Sequence, residues 1–304
     1  MMDRSKLVLN GSVSNPKSRL IKSVTKGIES LKSYEIKPQG VFNSQATIIC
    51  GDVTIKSSDL DLEFTVKFDD DMEANEAEII IYNLTKSTIS QFKHKSKISI
   101  EAGYQGDTGI IFSGYVTKVK TKRENADKMT TIKCIDDVSN KTISETTFKK
   151  GTKASYILKQ LLNKTGLSIA VFKMRRDWTY EDEEKVDGDL MENIKRYSEV
   201  CGVSTYVCNG KIYSRYIKEC DDISFTLSEE TGLIGSPEEY TEEKTAEDYT
   251  DVINGYECEC LLQHRMRAGA KVTLKSLEAN GTFRVCSGEH IFNVDECVSK
   301  IKMY

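Results

Sequence analysis

Two cysteines and a histidine at close spacing are the residues best suited to chemistry. Cys258, Cys260 and His264 form a C-x-C-x3-H segment, and strand alternation would put both thiols on one face. Cys286 and His290 could supply a second pair of ligands for zinc. Structural zinc sites usually have cysteines separated by about two to four residues, and thiols scattered along strands more often belong to a core. We therefore expect no bound metal and no cofactor.

Other catalytic arrangements have little support in the sequence. The chain has three histidines and no serine in a G-x-S-x-G context, which disfavours a catalytic triad. A glycosidase needs two acids that converge on one cleft, whereas neighbouring acids on polar segments are usually solvated. Such neighbours are Glu229-Glu230, Glu238-Glu239 and Glu242-Glu243. Residues 103–109 are glycine-rich but lack a following Gly-Lys-Ser/Thr and helix, so they do not predict a phosphate site. We expect no enzymatic activity and, without base-stacking aromatic patterns, no specific nucleic-acid binding.

Composition limits the class of protein. A length of 304 residues with 38% hydrophobic and 30% charged residues suggests about two domains with several small cores. No apolar run approaches the roughly 20 residues that span a bilayer, and the first residues lack a signal-peptide core. We expect a chain folded in a cytoplasm, without membrane insertion, whose nine cysteines are reduced and buried.

Charge is distributed unevenly along the chain. Residues 177–251 contain 21 acidic and 7 basic residues, although the whole chain has a net charge of only −4. The remainder is therefore positively charged. This acidic region either contacts a partner of opposite charge or is a solvated loop, and the sequence leaves both interpretations open.

Residues 60–135 predict a small β-barrel, closed or nearly closed. Residues 62–68 alternate between apolar and polar, as a half-buried strand does. The unbroken apolar run 79–82 predicts a strand covered on both faces, and residues 85–92 fit one short helix. Further strands are predicted at 46–50, 98–100, 110–119 and 130–135, with a glycine-rich turn at 103–107.

The segments on either side predict helices and a smaller mixed module. Apolar spacing over residues 17–33 indicates an amphipathic helix, which packs either on a partner or on this chain. A second helix from Ala154 should end at Gly166, with Thr152 as its N-cap. After a strand at 168–173 and an acidic loop at 178–189, a third helix should begin at Asp189 and end at Gly202. Asn-Gly at 209–210 between alternating runs predicts a hairpin.

The last third of the chain returns to a β pattern. Residues 221–251 read as an acidic, loop-rich segment, followed by strands at 256–262, 271–276, 281–287 and 290–294. The fold class expected is α+β, mostly β: two small tube-like β-barrel domains joined by a small α+β module, with an N-terminal helix. The boundaries expected are 1–44 for the N-terminal extension, 45–148 for the first barrel, 149–220 for the module and 221–304 for the second barrel. The early strands of the second barrel should come from residues 221–235.

Two stretches resemble a known family. The run NEAEIIIYNLT (75–85) with ISIEAGYQGDTGIIFSGYVTKV (98–119) is similar to the first barrel of baseplate hub proteins in contractile phage tails and tail-like bacteriocins, which include proteins like late control protein D. The run GYECECLLQHRMRAGAKVTLKS (255–276) with GTFRVCSGEHIFN (281–293) is similar to the last strands of their second barrel. Ala268-Gly269 stands where the family commonly has Pro-Gly, and His264 where it often has Pro.

The resemblance implies a structural baseplate hub in a phage virion or tail-like particle, assembled in the host cytoplasm. It implies a homotrimeric ring of pseudo-six-fold character that joins the hexameric tail tube to the trimeric central spike by symmetry matching. The tail tube protein, the central spike protein, the tape measure protein and other baseplate proteins of this contractile injection system are the expected partners. The alternative is a tail-tip cell-wall hydrolase or glycan-binding module.

Contact with the tube is expected at one connection of each barrel. In the first barrel this connection is the predicted helix 85–92, and in the second it is the loop 261–270. Each is expected to project beyond the rim of its barrel. The candidate contact residues are Ile89, Phe92, Leu261 and Leu262.

Overall fold

The computed structural model describes residues 43–136, 142–246 and 249–304. The amphipathic helix predicted over 17–33 lies outside these ranges. Hydrophobic side chains of the described residues gather in three clusters. One fills the first barrel, one fills the second, and one lies within the mixed module between them.

The first barrel is a curled antiparallel sheet with the strand order β3-β4-β7-β6-β5-β1-β2. It is nearly closed, because β2 and β3 at its two ends share no ladder among the described residues. A short helix, α1 (Lys86–Ile89), lies between β4 and β5, and the side chain of Thr85 caps it. The strands are β1 (Ser44–Cys50), β2 (Val53–Lys56), β3 (Leu62–Phe68), β4 (Glu76–Tyr82), β5 (Lys97–Tyr104), β6 (Asp107–Glu124) and β7 (Asp127–Ile135).

Burial alternates along β4, as in a strand with one covered face. Ile79 and Ile81 are fully buried, but Ile80 and Tyr82 between them are only half-buried. The prediction that both faces of β4 are covered is therefore wrong. The run is continuous in sequence because the outer face also carries apolar side chains, and not because another layer covers it.

The mixed module contains two helices that pack on each other. They are α2 (Ala154–Thr165) and α3 (Leu190–Cys201), and each ends at a glycine with left-handed backbone. The strands are β8 (Thr142–Phe148), β9 (Ser168–Phe172), β10 (Glu184–Asp189), β11 (Ser204–Cys208) and β12 (Lys211–Arg215). β8 pairs with β10, and the other three form a sheet in the order β11-β12-β9.

Two local predictions for the module need correction. Thr152 is not the N-cap of α2: Lys153 holds that position without a side-chain bond, and the Thr152 hydroxyl donates to the Lys149 carbonyl instead. The carboxylate of Asp177, which is distant in sequence, accepts from the backbone N–H of Ser155. It therefore provides a hydrogen-bond partner for the first turn of α2. The acidic stretch 178–189 is not all loop, because β10 occupies its second half.

The second barrel is richer in strands than its sequence indicates. The 221–251 segment, expected to be loop-rich, contains one strand and most of a hairpin, and its early strands do join the barrel. Residues 281–287 and 290–294 form parts of one strand instead of two, and the last strand was not predicted. The elements are β13 (Ser224–Leu227), a 3-10 turn (Glu229–Thr231), β14 (Leu233–Ala246), β15 (Tyr249–Leu261), β16 (Lys271–Lys275), β17 (Asn280–Phe292) and β18 (Cys297–Met303).

β17 connects the two barrels into one sheet. Its first half pairs with β16, and its second half lies between β18 and β3. At its end Phe292 pairs with Phe64 of β3, and their rings stack with centroids 5.3 Å apart. Phe292 therefore belongs to the hydrophobic cluster of the first barrel. The division of the chain into four domains remains a proposal.

Candidate functional site

Arg284 is the centre of a buried polar cluster where the parts of the chain meet. It lies on β17 and is 2% exposed. Its Nε donates to the Glu219 carbonyl at 2.9 Å, and its Nη1 donates to the Tyr304 hydroxyl at 3.0 Å. Nη1 also donates to the carboxylate of Asp70, in the loop after β3. One guanidinium thus binds the first barrel, the segment before the second barrel and the segment after β18.

The charge of this arginine is maintained by its partners. Burial lowers the pKa of Arg284, but Asp70, Tyr304 and Tyr206 together raise it by more, so the net shift is upward. A buried ion pair of this kind is costly to break, because removing either partner leaves an uncompensated charge. Among the described residues, the Nη2 of Arg284 is the one buried side-chain nitrogen or oxygen without a hydrogen bond. The guanidinium carbon lies 5.9 Å from the ring centroid of Tyr206.

A second arginine makes a parallel connection from the module. Arg215 on β12 donates through Nη2 to the Tyr206 hydroxyl at 2.6 Å and to the Gly269 carbonyl at 3.1 Å. Its Nη1 donates to Asp221 at 3.0 Å, and the same carboxylate accepts from Arg267. A Cβ at position 269 would lie 1.7 Å from the Arg215 Nη2. Position 269 therefore requires glycine, and the second barrel approaches the module closely here.

The loop before β16 is attached to the first barrel by a third polar cluster. Asp107, at the turn between β5 and β6, accepts from Gln263, His264 and Arg265. Burial alone would raise the pKa of Asp107, but the hydrogen bonds from these three side chains hold it well below its usual range. The turn and the loop therefore form one rigid contact between the barrels.

His290 of β17 is buried close to these clusters. It is 1% exposed, its Nδ1 lies 2.8 Å from the Ser299 hydroxyl, and its ring centroid is 5.1 Å from that of Phe68. Burial lowers the pKa of His290 to about 3. The imidazole is therefore neutral at physiological pH and packs as part of the strand pair.

The residues considered for zinc do not come together as a metal site. Cys258 and Cys260 lie in the core of the second barrel, where burial raises the pKa of both thiols to about 12. His264 is part of the Asp107 cluster, and Cys286 has contacts of its own with the Lys302 carbonyl. Within residues 43–136, 142–246 and 249–304 no group of three or more histidine, cysteine or acidic side chains is arranged to hold a metal ion. All nine cysteines are free thiols, seven of them buried.

Five of the six adjacent carboxylates have described side chains, and these five lie on the surface. Glu229 and Glu230 are exposed on the 3-10 turn, and Glu238, Glu239 and Glu242 are exposed on β14. Glu238 and Glu239 point to opposite faces because they are consecutive in a strand. Neighbours of this kind do not converge on one cleft.

The four candidate contact residues differ in their exposure. Phe92 and Leu262 are 4% and 2% exposed and belong to the core of the first barrel, whereas Ile89 and Leu261 are half-buried. The loop after β15 is packed between the barrels and does not project from a rim, since Met266 in its middle is fully buried. Contact of these four residues with a tube remains a prediction.

The sequence did not reveal the arginine clusters. The residues next to Arg215, Arg267 and Arg284 in sequence do not indicate their distant partners, and an isolated arginine is normally a surface residue. The one available signal was Gly269, which stands in a segment of apolar and basic residues and marks a close backbone approach. None of the helices in the described ranges is long and apolar enough to cross a membrane.

Comparisons with known proteins agree with this architecture. The model of a protein family described as baseplate hub gp41 matches residues 45–287. Curated protein sequences give no significant match. Among solved structures, a tail protein from Neisseria meningitidis MC58 matches with a TM-score of 0.60 and 9% identity, over 86% of this chain and 96% of its own.

Two further structures are similar at the level of the fold. The 43 kDa tail protein of prophage MuSo2 from Shewanella oneidensis has a TM-score of 0.62 and 8% identity, and the match covers 86% of this chain and 97% of that one. The E. coli c3393 protein, a type VI secretion component described as similar to T4 tail proteins gp27 and gp5, has a TM-score of 0.57 and 9% identity over 84% of this chain and 76% of its own.

Proposed function

The chain belongs to the baseplate hub gp41 family, and we propose that it forms a homotrimeric ring that joins a hexameric tail tube to a trimeric central spike. The family is one of structural proteins of the phage tail baseplate. Two barrels in each of three copies would present six similar surfaces to the tube, while the trimer itself matches the spike. The ring would also contact the tape measure protein that passes through it and neighbouring baseplate proteins.

The observation that carries this proposal is the single sheet shared by both barrels. β17 hydrogen-bonds to β3 on one side and β18 on the other, and the Arg284 and Asp107 clusters link the same two barrels through side chains. A symmetry adaptor must hold its two tube-facing surfaces at a fixed angle and spacing. Independent barrels on a flexible linker would lose that geometry, because relative motion is the default for domains joined by small interfaces.

The test is retention of the chain at the end of assembled tails. We expect the wild-type protein to co-purify with the tube and spike proteins and to appear as a ring between them in a cryo-EM map. At the first barrel, Ser87→Trp adds a bulky side chain on the exposed face of α1, the helix that also carries Ile89, without entering the core. It should block attachment to the tube while leaving the circular dichroism spectrum unchanged.

A matched substitution controls for bulk alone. Ser58→Trp is equally exposed in the turn between β2 and β3 and should leave attachment intact. Normal tube attachment by folded Ser87→Trp would refute the contact at α1. Lysis of purified cell wall by the isolated chain would instead support the hydrolase alternative and contradict a purely structural role.

A further inference from the structure

We propose that copies of this chain join head to tail, with the free edge of β14 in one copy lying against the free edge of β6 in the next. This inference rests on the homotrimeric ring proposed above and specifies which surfaces form it. Four features of the two edges support this contact: both are bare, both lie in one sheet, they share a face, and they carry opposite charges.

β14 is a long strand with one bare edge. Among the described residues it pairs only with β15. The two strands remain paired from residues 241–246 to 249–254, beyond the point where β18 ends its pairing with β15 at Tyr256. A two-stranded ribbon is marginally stable in water, and a long bare edge is a template for another strand. The ribbon therefore requires a neighbour.

β6 offers a second bare edge. Its pairing with β5 ends where Tyr115 meets Lys97. From Lys118 to Glu124 it pairs only with β7 on its other side, as far as the described residues show. This part of β6 forms a projecting hairpin with β7 that resembles the β14–β15 hairpin in having one edge covered and one open.

Both edges belong to the same continuous sheet. The path from one to the other is β14-β15-β18-β17-β3-β4-β7-β6, so the two bare edges are the ends of one eight-stranded surface. The register identifies one face of it: Glu257 opposes Lys302, Glu289 opposes Lys67, and Glu78 opposes Lys133. We call this the outer face, because the alternate residues point into the barrel cores.

The charges on the outer face are opposite at its two ends. On β14 this face carries Glu238 and Glu242, and on β6 it carries Lys118, Lys120 and Lys122, all exposed. When a sheet continues from one copy into the next, the outer face of one copy continues as the outer face of the next. These acids would therefore lie beside these lysines. Opposite charges on neighbouring strands stabilise pairing, and like charges oppose it.

This charge pattern selects one mode of association. Two β14 edges would bring acids together and two β6 edges would bring lysines together, so a two-fold contact between like edges is disfavoured. A head-to-tail contact repeats until the ring closes. The partner that fits each edge is therefore the other edge of a second copy of this chain.

Charge reversal on the full chain tests the inference. We expect wild-type protein to form trimers by size-exclusion chromatography with light scattering. Lys120→Glu with Lys122→Glu should weaken self-association at least about tenfold, because it places acids against acids. Glu238→Lys with Glu242→Lys should weaken it to a similar extent, because it places lysines against lysines. A variant with all four substitutions restores opposite charges at the contact and should recover trimers.

Two reversals elsewhere are the controls. Glu229→Lys with Glu230→Lys and Lys149→Glu with Lys150→Glu change the same charges at exposed positions outside both edges, and both should remain trimeric. Circular dichroism identifies any variant that does not fold. If a folded four-substitution variant stays monomeric, or if either edge variant still trimerises as wild type does, the contact is refuted.

The contact and the proposed role in tails can fail separately. A wild-type chain that trimerises and is retained on tails, but whose edge variants trimerise equally well, would refute the head-to-tail contact and leave the hub function standing. A chain that trimerises through these edges but is absent from tails would do the reverse.

Discussion

At the scale of residues, charged side chains are buried at the junction because each has a partner from another part of the chain. Arg284 faces Asp70, and Arg215 donates to the carbonyl of Gly269. The bonds connect positions far apart in sequence, so they form only when the barrels and the module are in their final arrangement. These residues act by fixing the relative position of the parts, which is the property that a structural adaptor needs.

His290 makes the stability of the fold dependent on pH. Its pKa falls from the ordinary 6.5 to about 3 because it is buried, so the folded state rejects a proton that the unfolded state accepts. Its contribution is therefore complete above about pH 6.5 and is lost as the pH falls toward 3. Between these limits the contribution of His290 to the free energy of unfolding should decrease by about 1.4 kcal/mol per pH unit.

Urea unfolding between pH 7 and pH 4.5 measures this dependence. His290→Gln should remove the contribution of His290 to the slope in that window, whereas His94→Gln, at an exposed position, should leave the wild-type slope unchanged. Asp107, whose pKa is depressed, loses its contribution only below about pH 4. Burial raises the pKa of Asp69 to about 7, and its proton uptake gives an opposite slope that wild type and both variants share. Equal slopes in wild type and His290→Gln would show that His290 does not control the acid response.

At the scale of elements, turns and helix ends follow from local sequence. Asp189 accepts from the N–H groups of Met191 and Glu192 and so caps α3, as its position before an apolar stripe predicts. The hairpin turn at Asn209 and Gly210 has positive φ at both residues, as an Asn-Gly sequence predicts. Each of these features depends on a few neighbouring residues, and for that reason the sequence was sufficient.

The turn between β5 and β6 depends on one such residue. Gly106 has φ near +89°, which a β-branched side chain adopts only with strain. Gly106→Val should lower the free energy of unfolding by about 1–3 kcal/mol. Gly106→Asn should cost less, because asparagine tolerates left-handed backbone. Thermal unfolding of the two variants measures the difference, and an identical melting temperature for Gly106→Val and wild type would contradict it.

The elements that sequence analysis missed depend on distant residues. β18 has the buried polar residue Ser299 in its inward row, and that breaks the apolar alternation by which strands are recognised. The two halves of β17 read as separate strands because a register shift occurs between Val285 and Ser287. The outcome at both places is decided by neighbouring strands, and a local pattern does not contain that information.

At the scale of the whole molecule, the shared strand predicts that the barrels lose stability together. Phe292 extends from β17 into the core of the first barrel. Phe292→Ala should cost about 3–5 kcal/mol. Hydrogen exchange should accelerate in β3 and β4 and also in β15 and β18. Leu277→Ala, at a position that is 92% exposed, should change neither. Acceleration confined to one barrel would show that the two open independently.

The pairing of β17 with β3 also constrains how the chain folds during synthesis. Phe68 emerges early, but its strand partner Gly288 emerges only after the module and most of the second barrel. Until then β3 has an open edge, and contacts between distant segments form slowly because a long loop must first close. Domains generally fold in the order of synthesis, yet here the first barrel waits for late strands. A ribosome stalled before β17 would therefore hold an incomplete and aggregation-prone first barrel, so production of this protein should be sensitive to chaperones.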